Sequence, residues 1–483
     1  MFSAVPLSSL PVMGAAGNTT EFLDGDGTEE NPYLISNKTH LNNVRKYLDA
    51  HFKMVTDIEF TDADFAEGGD FYNDGQGWEP IGNSDSSAFT GTFDGNNNVI
   101  KGLFVKKTDT LHISTNCARA GLFGENAGVV SNLVMKNANI TAISENSTYD
   151  LNAYAGSFAG ENSEGSIFNC FSIDSIICAK VFGGVMGSAR VGGICGSNNG
   201  FVYGCYNISN VTAEVSNMRN ADATAGGISG INNGEISACY NRGQINTYTR
   251  TDRQGEVFRV GGIAGVNYKS IGNCYNTGES LITHLPPVAN EIRTAGITNW
   301  NFDTIYSCYT FNMTASYGIL YNNSGTDSPI RCTADQMKQQ STFAGFDFDA
   351  VWEIDGYHDY PYPQLKNNRQ EPIRSIELLT SPTNARLIEG LLPDLSGATV
   401  KILYEDGFEI TTDVTSQMLS ELDIHQLGVQ TVHLTYGGKT TAETIDIEVI
   451  PKSIVSMAVT TPPAKTTYVQ GQPLNPAGGR LTI

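Results

Sequence analysis

The chain has 483 residues and a formal net charge of −22, from 29 Lys and Arg against 51 Asp and Glu. This acidic balance argues against a nucleic-acid partner, which needs a basic surface, and against electrostatic docking on anionic lipid. Abundant glycine (51 residues) and a charged fraction of only 17% are typical of a strand-rich, turn-rich protein. Hydrophobic residues (40%) can supply a core, and no apolar run is long enough to predict a transmembrane segment.

The N-terminal stretch, residues 1–19, is apolar and uncharged and carries small residues ahead of Gly17. It resembles the second half of a secretory signal peptide that lacks its basic start, and a disordered N-terminus is the alternative. Downstream, Thr39 is predicted to cap a helix by accepting a hydrogen bond from a backbone N–H group. An apolar face of that helix would cover the end of the fold through Leu41, Val44, Tyr47 and Leu48.

Two acidic segments of the same region carry the carboxylates that calcium prefers. The first, residues 24–30, reads DGDGTEE. It lacks the sixth-position glycine and the distal Glu of an EF-hand loop, so an ordinary turn is favoured. The second, residues 62–74, is predicted to be a solvated loop. We therefore expect no cofactor, with weak calcium binding as the alternative.

A sequence unit of about 35 residues recurs along residues 117–315 and decides the architecture. One cysteine in each of five units marks the period, with separations of 35, 34, 35 and 34 residues: Cys170, Cys205, Cys239, Cys274 and Cys308. Apolar residues alternate with small or polar ones between Asn-Asn-Gly or Asn-x-Gly links, which predicts short strands joined by turns that accept positive φ. Stacking such units produces a parallel β-helix with Ile, Val and Leu pointing inward and glycine at the corners.

Two residue rows follow from this period. The cysteines would form one interior ladder of buried, reduced thiols rather than a metal or redox site, because no CxxC pair or nearby histidine accompanies them. A tyrosine follows the cysteine in four units, at Tyr206, Tyr240, Tyr275 and Tyr309. This tyrosine ladder is predicted to pack under a loop, with a sugar-binding platform as the alternative.

A third row is basic and incomplete. The position two residues before the first glycine of a unit holds Arg119, Arg190 and Arg259. These arginines are the candidate ligand-binding residues, since three guanidinium groups on one face could bind an acidic glycan. The alternative is that they are exposed, solubilising residues at strand starts. No carboxylate cluster is evident at the same phase of the repeat, and a lyase site would require one.

The C-terminal part changes character. Thr333 and Gln336 predict a capping box at the start of a short helix within a C-terminal cap. From residue 371 the strands become longer, Glu405–Gly407 reads as a hairpin turn, and the whole segment predicts a β-sandwich. Residues 373–402 match the chain again at an offset of 81, and this second copy stops after 30 residues. We therefore expect the chain to be part of a longer protein.

At three places the residues resemble known bacterial surface proteins. The repeated phrase, as in AGGISGINNGEISACYN from Ala225, resembles the GLUG motif, and WEPIGNSDSSAFTGTFDGNNNVIKGLFV and VWEIDGYHDYPYPQLK resemble segments that flank it. The stretches DLSGATVKILYEDG and GVQTVHLTYGGKT resemble bacterial Ig-like domains. The resemblance implies β-helical surface modules such as those of adhesins and the non-catalytic arms of large metallopeptidases that cleave immunoglobulin A. It implies no catalytic residues.

Together these observations predict an all-β fold, a right-handed parallel β-helix of about six repeats with small helical caps, followed by an Ig-like β-sandwich. The predicted segments are 1–19 (signal-like or disordered), 20–116 (N-terminal cap and first coils), 117–315 (GLUG-repeat β-helix), 316–370 (C-terminal cap), 371–451 (Ig-like domain) and 452–483 (truncated second Ig-like domain).

The predicted function is that of an exported, non-catalytic, adhesin-like protein of the bacterial cell surface. We expect a monomeric, elongated molecule that binds a host or matrix glycan or protein. A polysaccharide lyase or hydrolase on a β-helix is one alternative, although no HExxH, GxSxG or nucleotide-binding motif is present. The other is the N-terminal arm of a surface metallopeptidase whose catalytic domain lies beyond Ile483.

Overall fold

A computed structural model provides the coordinates, and the chain forms two compact units, residues 1–369 and 370–483. The residues described are 21–83, 87–109, 117–146, 151–183, 186–216, 218, 220–249, 257–284, 294–311, 317–323, 329–354, 361–366, 373–383, 385–391, 393–404, 409–414, 418–419, 422–436, 439–452, 458–467, 470, 472 and 480–482. The signal-like segment 1–19 therefore lies outside them. No helix in the described ranges has the length and hydropathy needed to cross a membrane.

The first unit consists almost entirely of short strands. In chain order they are β1 (Tyr33–Ile35), β2 (His51–Met54), β3 (Ile58–Glu59), β4 (Thr92–Asp94), β5 (Val99–Lys101), β6 (Phe104–Asp109), β7 (Cys117–Ala120), β8 (Phe123–Asn126), β9 (Val129–Lys136), β10 (Asn139–Asn146), β11 (Leu151–Ala155), β12 (Ala159–Asn162), β13 (Ser166–Ile173), β14 (Ile176–Gly183), β15 (Met186–Gly192), β16 (Cys195–Asn198), β17 (Phe201–Tyr203), β18 (Tyr206–Asn207), β19 (Asn210–Ser216), β20 (Asn220–Gly226), β21 (Ser229–Asn232), β22 (Glu235–Ser237), β23 (Tyr240–Asn241), β24 (Ile245–Thr249), β25 (Val257–Gly261), β26 (Ala264–Asn267), β27 (Ser270–Gly272), β28 (Tyr275–Asn276), β29 (Ser280–His284), β30 (Thr294–Asn301), β31 (Ile305–Tyr306), β32 (Tyr309–Phe311), β33 (Tyr317–Asn322), β34 (Ile330–Cys332), β35 (Trp352–Glu353) and β36 (Gln364–Leu365). Its helices are α1 (Lys38–Asn43), α2 (Asp62–Phe65) and α3 (Ala334–Met337), with 3-10 turns at Val44–Lys46, Asn73–Gly75 and Gln340–Thr342.

All but β35 and β36, which form a separate antiparallel pair, stack into three parallel sheets, named here faces A, B and C. Face A follows the order β1-β2-β4-β9-β13-β18-β23-β28-β32-β34, and face B the order β6-β10-β14-β19-β24-β29. Face C has two limbs in each coil: β7, β11, β15, β20 and β25 form the first limb, β8, β12, β16, β21 and β26 form the second, and the long strand β30 continues both. The five successive pairings of face B correspond to about five turns of a parallel β-solenoid. The predicted all-β parallel helix is confirmed at this level.

The interior is built from columns of apolar side chains, as the alternation predicts. One column, with at most 1% of each residue exposed, is Val130, Ile167, Val202, Ile236, Ile271 and Ile305. The five predicted cysteines form a second column and are at most 2% exposed. Leu133 occupies the same position one coil earlier, opposite Cys170. All nine cysteines lie in the described ranges, and none is in a disulfide. The row is therefore apolar filling, as predicted.

The turns between strands differ from the prediction. Positive φ was expected at the Asn-Gly links, but it occurs at the residue just before the cysteine row, with φ between 46° and 62°: Asn132, Asn169, Gly204, Ala238, Asn273 and Ser307. The link glycines are needed for a different reason, close approach between coils. A Cβ on Gly200 would lie 2.0 Å from the carbonyl oxygen of Gly165, and one on Gly234 equally close to that of Gly200.

The first asparagine of each link is buried instead of exposed in a turn. Its Nδ2 donates to the Oδ1 of the equivalent asparagine one coil further, at 2.7–3.0 Å, through the buried series Asn126, Asn162, Asn198, Asn232, Asn267 and Asn301, and the last of these donates to the exposed Asn322. The same Nδ2 also reaches a backbone carbonyl, such as that of Gly234 for Asn232 at 3.0 Å. Because each buried amide finds its partners in the neighbouring coil, this asparagine ladder fixes the register of stacking.

The helical caps confirm one prediction and correct another. Thr333 and Gln336 form the predicted capping box of α3. At the N-terminal end, however, the cap of α1 is Asn37, whose side chain accepts from the backbone N–H of His40, and Thr39 lies inside the helix. Asparagine and threonine are both good cap residues, and the shorter helix starts two residues earlier. Leu41 and Val44 are buried as expected.

The second unit contains two three-stranded sheets around a common core. Its strands are β37 (Ile373–Thr380), β38 (Arg386–Ile388), β39 (Thr399–Tyr404), β40 (Glu409–Asp413), β41 (Gly428–Tyr436), β42 (Lys439–Ile450), β43 (Ala458–Thr461) and β44 (Arg480–Thr482). The sheets are β37-β39-β40 and β38-β42-β41, and both contribute to one apolar cluster. The predicted turn Glu405–Gly407 lies outside the described residues, although the strands on either side of it pair. The Ig-like assignment stays a prediction.

The internal repeat of the tail is visible in the strand pairing. In the first copy Glu377 pairs with Lys401, and in the second copy Ala458 pairs with Thr482. Each residue of the second pair lies 81 positions after its equivalent in the first pair, which is the offset predicted from the sequence. The register irregularity that follows Leu378 in the first copy recurs after Val459 in the second. The pairing of β43 with β44 in the second copy therefore repeats the pairing of β37 with β39, including this irregularity.

Candidate functional site

The two limbs of face C meet at a bend that is concave toward the outside, called here the crease. Glycine at the start of the second limb permits the bend, because its outward side faces the backbone of the first limb one coil earlier. A Cβ on Gly160 would lie 2.8 Å from the Cβ of Arg119, and one on Gly196 would lie 2.7 Å from the backbone nitrogen of Ala155. Side chains from both limbs therefore converge across the crease.

Strand register places the three candidate arginines in one row of the first limb. That row reads Arg119, Tyr154, Arg190, Thr224 and Arg259. The facing row on the second limb reads Glu125, Glu161, Ser197, Ile231, Val266, Trp300 and Tyr321. The crease thus changes from charged to aromatic along the solenoid, and its three arginines have three different surroundings.

Arg119 is held between two carboxylates at the first coils. Its Nε donates to Glu161 Oε2 at 2.8 Å, and Glu125 Oε2 lies 4.0 Å away. The Arg119 side chain is only 13% exposed, so the expectation of an exposed, solubilising residue is wrong here. Glu125 and Glu161 pair directly across neighbouring strands, so carboxylates do recur at one position of the repeat, contrary to expectation. The signal was the phrase Gly-Glu-Asn, present in both of the first two units.

Arg259 is also paired. Its Nη1 donates to Asp222 Oδ2, and its guanidinium lies over the Trp300 ring with 4.5 Å to the centroid. The side chain is 12% exposed, so it too is not an exposed residue. Asp222 accepts a further hydrogen bond from Thr224 Oγ1 at 3.0 Å. This end of the row therefore carries a neutralised ion pair beside an aromatic ring.

Arg190 differs from the other two. Its guanidinium lies 4.7 Å from the Tyr154 ring centroid, and its Nε donates to Ser188 Oγ at 3.1 Å. Within the described ranges no carboxylate lies within salt-bridge distance of it. Burial is the main factor that raises the pKa of Tyr154, which keeps the phenol neutral beside the cation. Arg190 is thus oriented by neutral groups, without a carboxylate partner among the described residues.

A surface groove of about 390 Å³ lies beside Arg190, at the start of the first-limb strands. The residues that line it come from β11, β15, β20 and β25: Asn152, Met186, Gly187, Ser188, Asn220, Ala221, Asp222 and Val257. Two apolar side chains at its edges are well exposed, Met186 at 46% and Val257 at 39%. A groove of this volume is in the range of small-ligand sites. It could not be predicted from the sequence, because its polar residues come from three different coils.

An exposed aromatic cluster occupies the far end of face C. Tyr268 and Phe302 stack with ring centroids 4.8 Å apart, and Trp300 contacts Phe302 and Tyr321 at 5.8 and 5.5 Å. The two preceding coils hold asparagine at the position of Tyr268, at Asn199 and Asn233, so the tyrosine is a departure from the repeat. Contiguous exposed rings are a frequent feature of binding surfaces.

The tyrosine ladder, by contrast, is covered. Its ring centroids are 4.8 Å apart between Tyr206 and Tyr240 and 5.0 Å apart between Tyr240 and Tyr275. The C-terminal cap runs back along the outside of face A and packs on these rings through Met337, Phe343, Phe346, Trp352 and Leu365. The Tyr275 hydroxyl donates to the carbonyl of Pro363. The packing interpretation is confirmed, and the sugar-platform alternative is wrong for this row.

In the two candidate calcium segments, Asp24, Asp26 and Asp64 have local hydrogen-bond or ion-pair partners. Asp24 Oδ1 accepts from the backbone N–H of Gly25 at 2.7 Å, and Asp26 Oδ1 accepts from the Thr28 hydroxyl at 2.7 Å. In the second segment Asp64 belongs to the capping box of α2 and pairs with Lys38 at 2.8 Å. No group of three or more potential metal ligands is gathered anywhere in the described part of the chain.

Comparison with known proteins gives partial matches. No protein-family model matches the chain. Over 126 residues it is 40% identical to a protein of Evansella cellulosilytica named as a Gly-rich membrane protein, a match that covers 26% of this chain and 13% of that protein. Over 187 residues it is 29% identical to halomucin of Haloquadratum walsbyi, which covers 38% of this chain and 2% of halomucin. The chain thus matches only a small part of the length of these relatives.

Among solved structures, the chain is similar to a Bacteroides ovatus protein assigned as an immunoglobulin A1 protease. The TM-score is 0.47 and the identity 18%, over 72% of this chain and 96% of that one.

Proposed function

We propose that this protein is an exported, non-catalytic binding module of a bacterial cell surface, and that the groove beside Arg190, on the first limb of face C, takes a glycan or protein ligand. The groove beside Arg190 is the observation that carries the proposal, since it combines a retained positive charge with polar groups and exposed apolar edges. The names of the two relatives support a location at the cell envelope. We also propose that the repeats are GLUG repeats and that the second unit is an Ig-like stalk.

An array of glycans and matrix proteins, probed with the full chain, tests this function. Two exposed asparagines provide a matched pair of blocking variants: Asn220 lies in the groove on β20, and Asn210 starts β19 on face B. Asn220→Trp should fill the groove and abolish capture of the array ligand, whereas Asn210→Trp should leave capture unchanged. The proposal fails if no array ligand is captured, or if both variants capture it as well as the parent chain.

A location at the cell surface requires its own test. An antibody to the full chain should label intact cells, and external protease should remove the label. Labelling that requires permeabilised cells would contradict the proposed export. A metallopeptidase downstream of Ile483 stays an alternative, and the sequence that follows decides it: an HExxH motif would favour the peptidase, and a wall-sorting signal would favour the adhesin.

A β-helix hydrolase or lyase is favoured by one specific feature, the group of Arg119, Glu125 and Glu161. Glycoside hydrolysis uses two carboxylates, and a basic residue beside them is what a lyase needs. Against this, Arg119 forms a direct ion pair with Glu161, and all three side chains are largely buried. Release of reducing ends or unsaturated products from a polysaccharide panel, abolished by Glu161→Gln, would establish this alternative. Binding without product formation supports the binding module.

A further inference from the structure

The outward side chains of the groove form two parallel rows, and a third row lies beside them. The first row contains Met186 and Asn220 and the second Asn152, Ser188, Asp222 and Val257, while the adjacent third row holds Tyr154 and Arg190. The residues between these rows, such as Ala153, Ala189 and Ala223, point inward and are fully buried. Four rungs at about 4.8 Å make the second row about 14 Å long. This is a shallow polar surface on a rigid sheet.

Two amide side chains in the groove have open hydrogen-bonding capacity. Neither Asn152 nor Asn220 forms a side-chain hydrogen bond with another described residue. Each amide offers two N–H donors and a carbonyl acceptor, a combination that suits the hydroxyl groups of a sugar. Met186 and Val257 at the edges add exposed apolar surface for the carbon-bound faces of a sugar ring.

Arg190 adds a specific anion site to this surface. Its Nε is engaged by Ser188 Oγ, whereas its two terminal nitrogens form no hydrogen bond with a described residue. The Tyr154 ring beneath the guanidinium holds it in place, so little rotamer freedom is left to lose on binding. A guanidinium with both terminal nitrogens available binds a carboxylate or sulfate through two parallel hydrogen bonds.

We infer that the groove binds an anionic pyranose, a sugar that carries a carboxylate or sulfate group, with Arg190 as the anion-binding side chain and Asn152 and Asn220 as hydroxyl-binding side chains. This inference rests on the proposed binding function and specifies its ligand class. Arg119 and Arg259 do not share the role, since each is neutralised by a carboxylate. The chain's net charge of −22 repels polyanions at long range, so short acidic segments should bind better than long polyanions.

The test compares charged and neutral forms of the same sugar. Calorimetric titration of the full chain uses short oligogalacturonides and their fully methyl-esterified forms, and in a second arm a sulfated galactan oligosaccharide and its desulfated form. We expect one charged sugar to bind and its neutral counterpart to bind about tenfold more weakly or worse, since one charge-assisted interaction is lost. The two arms distinguish a carboxylate ligand from a sulfate ligand.

Variants then assign the effect to the groove. Arg190→Gln should weaken binding of the charged sugar about tenfold, and Arg190→Lys should give an intermediate loss because it keeps the charge but not the paired hydrogen bonds. Arg242→Gln, an exposed arginine outside the groove, should change binding less than twofold. A thermal melt of each variant checks that the fold is retained, and Asn220→Trp is a second, independent block.

Three outcomes would overturn the inference: equal binding of charged and neutral sugars, binding that Arg190→Gln does not change, or no binding of either charged sugar tighter than about 1 mM. These outcomes are separable from failure of the proposed function. If the array captures a neutral glycan or a protein and Asn220→Trp blocks that capture, the proposed binding function is supported and the inferred anionic ligand is refuted.

Discussion

Two outward-facing rows of the same solenoid differ in how regular their residues are and in how exposed they are. The tyrosine ladder on face A has the same residue in four successive coils, and its rings stack and are at most 4% exposed. The first-limb row of the crease on face C changes its residue at every coil, from Arg119 through Tyr154, Arg190 and Thr224 to Arg259. The C-terminal cap covers the first row, while the groove next to the second keeps exposed residues at its edges.

The difference teaches how to interpret a repeat. Identical side chains at one register position can satisfy one another, as the buried asparagines do by donating from coil to coil. Stacking therefore preserves such rows, and their regularity indicates packing. A row whose residue changes at each coil has no such stabilising contacts between identical side chains. Its variation is tolerated by the scaffold, so it is the better place to look for a ligand site.

The largest expected effect separates the two kinds of row directly. Tyr275 is fully buried in the ladder, against Trp352 and Phe343 of the cap. Tyr275→Ala should cost the first unit about 3–5 kcal/mol, because it removes a buried aromatic ring and leaves a cavity. Thermal unfolding of the full chain would show the lowered midpoint. Limited proteolysis should also detect earlier cleavage in the cap.

The matched control for this variant lies seven residues earlier. Tyr268 is 46% exposed and stacks on Phe302 at the surface of face C. Tyr268→Ala should cost less than about 1 kcal/mol, as is usual for surface positions. If the two variants lost similar amounts of stability, the regular row would contribute no more to folding than the exposed surface does, and the distinction between the rows would not hold.

A second pair of variants extends the comparison to adjacent residues. Asn232 is fully buried in the asparagine ladder, where it accepts from Asn198 and donates to Asn267, each at 2.8 Å. Asn232→Ala should cost about 2–3 kcal/mol, because buried polar groups on both sides lose their partner. Asn233 lies outside and donates to Asn199 at 2.7 Å in an exposed setting. Asn233→Ala should cost less than about 0.5 kcal/mol, and the reverse order in a melting experiment would refute the ladder's role.

Much of the solenoid could be predicted because its determinants are local and repeated. The cysteine period identified the coil length, and the alternation identified inward columns such as Ile167 and Ile236. The role of the asparagine in each Asn-Gly link could not be predicted in the same way. An exposed turn with positive φ and a buried ladder both place asparagine before glycine, and only the neighbouring coil decides between them.

The candidate site was harder to predict because its contacts are not local. Arg119 meets Glu161 from the next coil, 42 residues away, and the cap that covers Tyr275 comes from a segment 88 residues away at Pro363. The arginine row was found from the period alone. Which of these arginines is paired with a carboxylate depends on residues from other coils, so Arg190 could not be singled out from the sequence.

Thiol reactivity should distinguish the interior from the crease. Burial raises the pKa of Cys195 to about 12, so this thiol stays protonated at pH 8. Cys117 is only half-buried and lies in the same outward row as Asn152. Labelling of the native chain at pH 8 should therefore be faster at Cys117 than at the buried cysteines, as peptide mass spectrometry can resolve. Denaturation without reductant should expose close to all nine thiols, and three or more disulfides in the native protein would contradict the interior row.

The smallest expected effect concerns the N-terminal cap, which precedes both rows along the chain. His40 is buried in α1, with its ring 3.2 Å from Ser36 Oγ and near Phe22, and burial lowers its pKa below 6.5. Because the folded state then binds the proton less readily than the unfolded chain, its stabilising contribution is complete above pH 6.5 and falls as the pH drops below it. The melting temperature of the first unit should decline from pH 7 to pH 5. His40→Asn removes the titrating ring and should reduce this slope, whatever its effect on stability at pH 7. An unchanged slope in that variant would mean that the acid sensitivity arises elsewhere, and that the buried cap does not contribute to it.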